Sequence, residues 1–224
     1  MRVELISPFG PTIMRATLPS KIFDQINEYI ENFDGDVSQF PNMLLRDIDN
    51  IFLEKKFCDE IGFTEFVEKL GNGYLHNVDN PRNYESLVLG LKDKNTDSDF
   101  ALSESVYAEA WVNRYYSGQY TPIHGHGSVL SGIIFLKVHP DLIREQKNVE
   151  YNRQLGSVPN MTKINGQLEF IYTSSHDYSS PTWYPEQKMA SVLLFPSWLS
   201  HHTYPFKNDK ERRTLSFNLT TTNT

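Results

Sequence analysis

Apolar positions in the first third of the chain recur at helical spacing. Ile22, Phe23, Ile26, Tyr29, Ile30 and Phe33 gather on one face of a helix that starts after Ser20, with Gly35 placed to end it. Leu44, Leu45, Ile48, Ile51 and Phe52 repeat the pattern and predict a second helix. Phe66, Val67, Leu70 and Tyr74 predict a third. Residues 3–17 read as an extended segment broken between Pro8 and Pro11. Residues 77–104, with NVDNPRN and KDKNTDSD, are polar and turn-rich and read as a connection between layers.

From Tyr107 the period changes. Residues 107–116, 129–138, 168–173, 190–195 and 214–221 are short aromatic or β-branched runs separated by Gly, Pro, Asn and Ser. Such runs suit a sandwich or jelly roll. Residues 139–165 form a long polar insertion, of a length usually kept for a functional loop. The expected fold class is α+β, with the N-terminal strand and helices (1–104) packed on a β core (105–224) in one domain spanning 1–224.

Composition narrows the function classes. The chain has 224 residues, enough for one large domain without a disulfide or metal staple. Aromatic residues reach 13%, which excludes a wholly disordered chain. A net charge of −7 disfavours a nucleic-acid partner. The single Cys58 excludes an internal disulfide and any zinc site built on two or more cysteines. No run of 18 apolar residues exists, and the first ten residues carry Glu4 without a long apolar stretch. The expectation is a soluble, cytoplasmic protein with no membrane partner.

Four of the seven histidines fall in two tight groups, YTPIHGHGSVLSG and LFPSWLSHHTYPF. His124 and His126 are two apart, so on an extended segment both rings project to one face and can reach one metal ion. His201 or His202, returning on a later strand, can supply a third ligand and leave open positions for chemistry. A His-x-His alone is a weak signal, and the glycines around His126 also suit a plain turn. The last strand adds a second feature. Alternation puts Leu215, Phe217 and Leu219 on one face with Arg213, and Arg212, Thr214, Ser216 and Asn218 on the other. A guanidinium beside a hydroxyl is suited to gripping a carboxylate in a cleft, although such a polar face also suits bulk solvent.

In this order and spacing the residues resemble the Fe(II)/2-oxoglutarate-dependent oxygenases. The matching positions are His124-Gly-His126, a distal His, and Arg212-Arg213-Thr214 about ten residues later. NRYYSGQYTPIH is similar to the prolyl 4-hydroxylase-like branch, in which a Tyr and a Gly precede the first metal His, here Tyr115 and Gly118. SGIIFLKV, NGQLEF, FPSWLSHHTYPF and ERRTLSFN look like uncharacterised 2OG-Fe(II) oxygenases of bacteria and phages. The resemblance covers about residues 105–220.

The resemblance implies a double-stranded β-helix, or jelly roll, flanked by N-terminal helices. It implies Fe(II) held by His124, His126 and a distal His, for which the spacing from Pro-Ser-Trp-Leu favours His201 over His202. It implies 2-oxoglutarate as cosubstrate, with its far carboxylate on Arg212, helped by Thr214 and the Tyr115 hydroxyl. The implied reaction hydroxylates a small molecule or a protein side chain and releases succinate and CO2. The sequence departs from the common pattern at His126, which stands where the family usually has a carboxylate. Two rivals remain: a cupin, which expects a Glu after His-x-His where Val129, Leu130 and Ser131 stand, and a non-enzymatic binding module. The aromatic stretch with Tyr178, Trp183 and Tyr184, together with 139–165, is expected either to border the mouth or to serve as surface loop and core.

Overall fold

The computed structural model describes residues 3–6, 10–35, 48–78, 104–147, 165–172 and 181–222. Two antiparallel sheets face each other in a jelly roll. The first has seven strands: β1 (Glu4–Ile6), β2 (Ile13–Thr17), β3 (Asp49–Phe52), β4 (Ser105–Tyr115), β6 (Leu130–Lys137), β9 (Ser191–Pro196) and β11 (Arg212–Thr221). Their order in the sheet is β1-β2-β9-β6-β11-β4-β3. The second sheet is ordered β5-β10-β7-β8, from β5 (Thr121–His124), β10 (Ser200–Thr203), β7 (Leu168–Ile171) and β8 (Thr182–Trp183). Helices α1 (Ser20–Glu31), α2 (Lys55–Glu60) and α3 (Phe63–Val78) follow the first strands, and α4 (Pro140–Lys147) follows β6. No helix among the described residues is long and apolar enough to cross a membrane.

The large sheet is buried on both faces, so its inner strands carry two apolar sets. Leu215, Phe217 and Leu219 of β11 meet Ile22, Ile26 and Ile30 of α1 and Phe63, Val67 and Leu70 of α3 in one core. Ile133 and Phe135 of β6 point the other way, between the sheets, with Phe170, Leu193, Phe195 and Leu199. The helical core needs a close approach at Gly132, which pairs with Phe217. A Cβ there would lie 2.0 Å from the Phe217 ring, so the ring lies flat only because the position is glycine.

Two expectations are corrected. The helix read from Leu44 to Phe52 is not formed at its C-terminal end. Residues 49–52 are β3, paired with β4 through Ile51↔Val112 and Phe52↔Trp111; the earlier part lies outside the described residues. A free sheet edge at β4 outcompetes a weak helical period, since each paired residue satisfies its backbone groups there. The first helix ends at Glu31 rather than near Gly35. Asn32 directs both its backbone N–H and its side-chain amide to the Glu28 carbonyl, at 3.1 and 2.9 Å, which closes the helix early. The insertion is helical over Pro140–Lys147; 148–164 lie outside the described residues, as do 79–103.

Helix α1 is also fastened to β11 by charge. Arg213 is buried and donates Nη2 to Glu31 (2.9 Å), Nη1 to Asn27 (3.2 Å) and Nε to Glu211 (2.8 Å). Glu211 also receives Lys137 and Arg114. Burial opposes its charged form, but hydrogen bonds from Arg213 and Lys137 outweigh that and hold its carboxyl at about 2, below the ordinary 4.5. A depressed folded-state pKa stabilises the fold above the unfolded value and ceases to do so as pH falls through the folded one. Glu211→Gln is therefore expected to cost about 3 kcal/mol at pH 7. Chemical denaturation as a function of pH should show this deficit shrinking below pH 4.5 and disappearing near pH 2.

Candidate active site

Strands β5 and β10 lie side by side, with His201 directly opposite His124. Cross-strand neighbours on one face are held about 5 Å apart by the ladder itself, so the pairing alone brings two imidazoles together. Two residues past His124, the His126 N–H donates to the Ser197 carbonyl at 2.8 Å. Gly125 lets the chain pass this close, since a Cβ there would meet the Ser197 and Trp198 carbonyl oxygens at 3.3 and 3.4 Å. Ring centres lie 5.0 Å apart for His124–His126, 4.3 Å for His124–His201 and 5.3 Å for His126–His201. One nitrogen from each ring falls within 4.8 Å of the others.

The three rings are prepared as neutral bases. His124 Nδ1 lies 2.8 Å from the Pro122 carbonyl and His201 Nδ1 lies 2.9 Å from the Leu199 carbonyl. A carbonyl only accepts, so both Nδ1 atoms carry the proton and both Nε2 lone pairs are free. Burial disfavours the charged imidazolium and lowers all three pKa values. It takes His201 to about 3, with His124 adding repulsion, and His126 to about 4, again with His124 adding repulsion. His202 projects from the other face of β10, where its Nε2 meets Glu169 at 2.5 Å. Glu169 also accepts from the hydroxyls of Tyr184 (2.6 Å) and Tyr204 (2.7 Å).

The histidines line a cavity of about 320 Å³ between the sheets. Arg212, Thr214 and Tyr115 line it as well, whereas Arg213 is in the helix-side network. Gly118, at φ +82°, makes the tight turn that folds β5 back, so that Thr121 Oγ1 meets the Tyr115 hydroxyl at 2.7 Å. Arg212 is 1% exposed. Its Nε donates to Gln187 Oε1 at 2.9 Å, and its guanidinium carbon sits 5.1 Å from the centre of the Tyr115 ring. Among the described residues its Nη1 has no hydrogen-bond partner. Among the described residues no carboxylate pairs with it. Burial lowers its pKa to about 10, with the Tyr115 hydroxyl acting the other way. An uncompensated buried guanidinium facing a cavity is costly unless an anion completes it.

Residues 109–218 match the protein family described as "Putative 2OG-Fe(II) oxygenase". These residues carry the three histidines and Arg212, and they belong to the 2OG-Fe(II) oxygenases. Fe(II) and 2-oxoglutarate are accordingly its cofactor and cosubstrate. The oxygenase has the family's jelly-roll fold. It superposes on HygX from Streptomyces hygroscopicus, solved with nickel, 2-oxoglutarate and hygromycin B, at a TM-score of 0.53 and 9% identity, over 96% of this chain and 84% of that one. A Pseudomonas putida prolyl-4-hydroxylase aligns with a TM-score of 0.47 and 14% identity over 97% and 91% of the two chains. The viral collagen prolyl hydroxylase of Paramecium bursaria Chlorella virus-1 aligns with a TM-score of 0.46 and 14% identity over 97% and 94%. No curated protein matches the sequence.

Several lining residues of the oxygenase were not singled out from sequence. Glu109 and Trp111 share the cavity face of β4 with Tyr115, a relation that alternation alone would have given. Phe52 lines the cavity because residues 49–52 form a strand; Gln187 does not line it but accepts from Arg212, and carries no local signal at all. Conversely, Trp183 and Tyr184 do not line the cavity. Trp183 stacks on Phe170 with centres 5.7 Å apart, and Tyr184 is engaged by Glu169; Tyr178 lies outside the described residues.

Proposed function

We propose that the oxygenase hydroxylates a C–H bond of a small molecule or a protein side chain, coupled to conversion of 2-oxoglutarate and O2 into succinate and CO2. One oxygen atom enters the hydroxyl group and the other enters succinate. The observation that carries this reading is the buried Arg212, without an anionic partner, in the same cavity as three converging neutral imidazoles. His124, His126 and His201 would hold the metal. The freed Nε2 atoms of His124 and His201 are in the tautomer that ligation needs, and each Nδ1–H···O=C bond keeps its ring aimed. Bound Fe(II) supplies the O2 chemistry that no side chain provides.

Arg212 would receive the far carboxylate of the keto acid, with the Thr214 hydroxyl and the Tyr115–Thr121 pair beside it. Gln187 holds the guanidinium in place through Nε, leaving the outer edge of the fork for the ligand. Three neutral imidazoles leave the metal one positive charge richer than two imidazoles and a carboxylate do, and a dianionic keto acid offsets that. Phe195 packs against the His201 ring and Phe135 lies beside the Arg212 guanidinium, so apolar side chains back both the metal-binding rings and the cation. In this reading the helices and both sheets form one oxygenase unit, supported by the shared core beneath β11.

The test is succinate release by the purified protein with Fe(II), ascorbate, O2 and 2-oxoglutarate. Slow release is expected from the wild type and none from His124→Ala. His126→Asp, which restores a carboxylate to the ligand set, should retain iron binding. Iron and 2-oxoglutarate bound by the wild type without any succinate would overturn the enzymatic reading in favour of a binding module.

A further inference from the structure

The polar side chains lining the cavity differ in charge from one end to the other. Arg212 sits at the start of β11, and along the same face Thr214 and Ser216 lead to Asn218. Asn218 donates Nδ2 to Glu109 Oε1 at 2.8 Å and accepts from Ser131, whose hydroxyl lies 2.9 Å from that of Ser197. Asn218 is six strand steps from Arg212, about 20 Å of rise. The cation is therefore at one end and a carboxylate at the other. Glu109 is exposed, lines the cavity, and among the described residues pairs with no Lys or Arg.

Two aromatic rings stand beside that carboxylate. Trp111 is two residues from Glu109 on the same face of β4, and its ring centre lies 5.8 Å from that of His126. Phe52, its cross-strand partner, lies 6.2 Å from it and is 41% exposed. Both rings line the cavity wall. The position where a substrate would approach the three histidines is thus bounded by two aromatic rings and a carboxylate whose side-chain partner among the described residues is a neutral amide.

We infer that this mouth recognises a cationic group of the substrate, an ammonium, an alkylated ammonium or a guanidinium, held between Phe52, Trp111 and Glu109. The inference rests on the oxygenase reading and names its substrate class. Both parts of the wall select the same charge. Aromatic faces attract a cation through their quadrupole, and a carboxylate that lines the cavity with no counter-ion among the described residues favours a cation and repels an anion. Glu109 also opposes binding of the keto acid at the mouth, which leaves Arg212 as the cationic anchor among the described residues that line the cavity. Asn218 positions Glu109 without neutralising it, so the charge stays available.

The cationic group can belong to a free amine or to a Lys or Arg side chain of a peptide, and the experiment separates them. The full-length protein, with Mn(II) in place of Fe(II) and with 2-oxoglutarate, is titrated calorimetrically with matched pairs. The free pairs are choline against 3,3-dimethyl-1-butanol and arginine against citrulline. The peptide pairs are a blocked tripeptide with central Lys against norleucine, and with central Arg against citrulline. At least one cation should bind fivefold or more tightly than its neutral isostere. A peptide pair showing the larger preference identifies a protein side chain; a free pair identifies a small molecule.

Glu109→Gln keeps the Asn218 contact through the remaining carbonyl oxygen and should cut the preference by about fivefold. Phe52→Leu keeps the apolar volume and should cut it about threefold. The inference is overturned if no pair shows a preference, or if the preference survives Glu109→Gln in protein whose thermal melt is unchanged. Titration of 2-oxoglutarate in the same sample is a separate readout. If the keto acid does not bind, the oxygenase reading fails, whereas a lost cation preference with intact keto-acid binding removes only the assignment of substrate class.

Discussion

Arg212→Met should abolish 2-oxoglutarate binding while leaving the unliganded protein as stable as the wild type or more so. The two effects have one cause. Arg212 is a buried cation whose Nη1 lacks a partner among the described residues, so without a bound anion its charge is a cost rather than a contact. Met fills similar volume without a charge. About 1 kcal/mol gained would raise Tm by roughly 2–4 °C in a chain of this size. The keto acid, in contrast, loses its charge-assisted anchor, a loss of about 3 kcal/mol or more than 100-fold in affinity.

Arg213→Ala should do the reverse. Its guanidinium holds Glu211, Glu31 and Asn27 together between β11 and α1. Breaking a buried pair costs about 3 kcal/mol, so Tm should fall by roughly 6–12 °C. The folded fraction should still bind 2-oxoglutarate within a factor of a few. Calorimetric titration and thermal melts on both variants decide the matter. A swapped pattern would mean that the two arginines have exchanged faces.

His201→Ala should weaken divalent-metal binding by more than about 100-fold, against a change of only a few-fold for His202→Ala. His201 faces His124 across the ladder and is 3% exposed, with its Nε2 free and its Nδ1 fixed on the Leu199 carbonyl. His202 faces away and is bound to Glu169. Its loss should register as reduced stability instead, because Glu169 is itself buried and, among the described residues, would keep the Tyr184 and Tyr204 hydroxyls alone. Titration of Ni(II) into the two apo variants, followed by melting without metal, separates the roles. Equal loss of metal affinity in both would contradict the strand register.

Those adjacent pairs show how far local sequence reaches. Alternation along β11 separates Arg212, Thr214 and Ser216 from Arg213, Leu215 and Phe217, and the structure has them on opposite faces, because a strand's period is two wherever both faces are occupied. The same arithmetic separates His201 from His202, but the sequence does not say which of the two faces the cavity. The pairing His201↔His124 answers that, and it is a long-range event. Leu44 to Phe52 fails for the same kind of reason: its helical spacing is real, yet the open edge of β4 captures residues 49–52 as a strand. Phe52 thereby reaches the cavity wall, where no sequence pattern would have placed it.

The sequence by itself determined which segments pack as helices and which as strands over most of the described chain. It determined the side on which each residue of β11 stands, and the supply of imidazoles and guanidinium for the site. Periodicity and residue chemistry are local properties and survive without a fold. Tertiary structure alone decided that Gln187 steadies Arg212, that Glu211 occupies Arg213, and that Glu109, Trp111 and Phe52 share the mouth with His126. Each of these joins residues far apart in the chain. Only the closing of two sheets over a common cavity fixes which buried charge finds a partner inside the protein and which is left for a ligand.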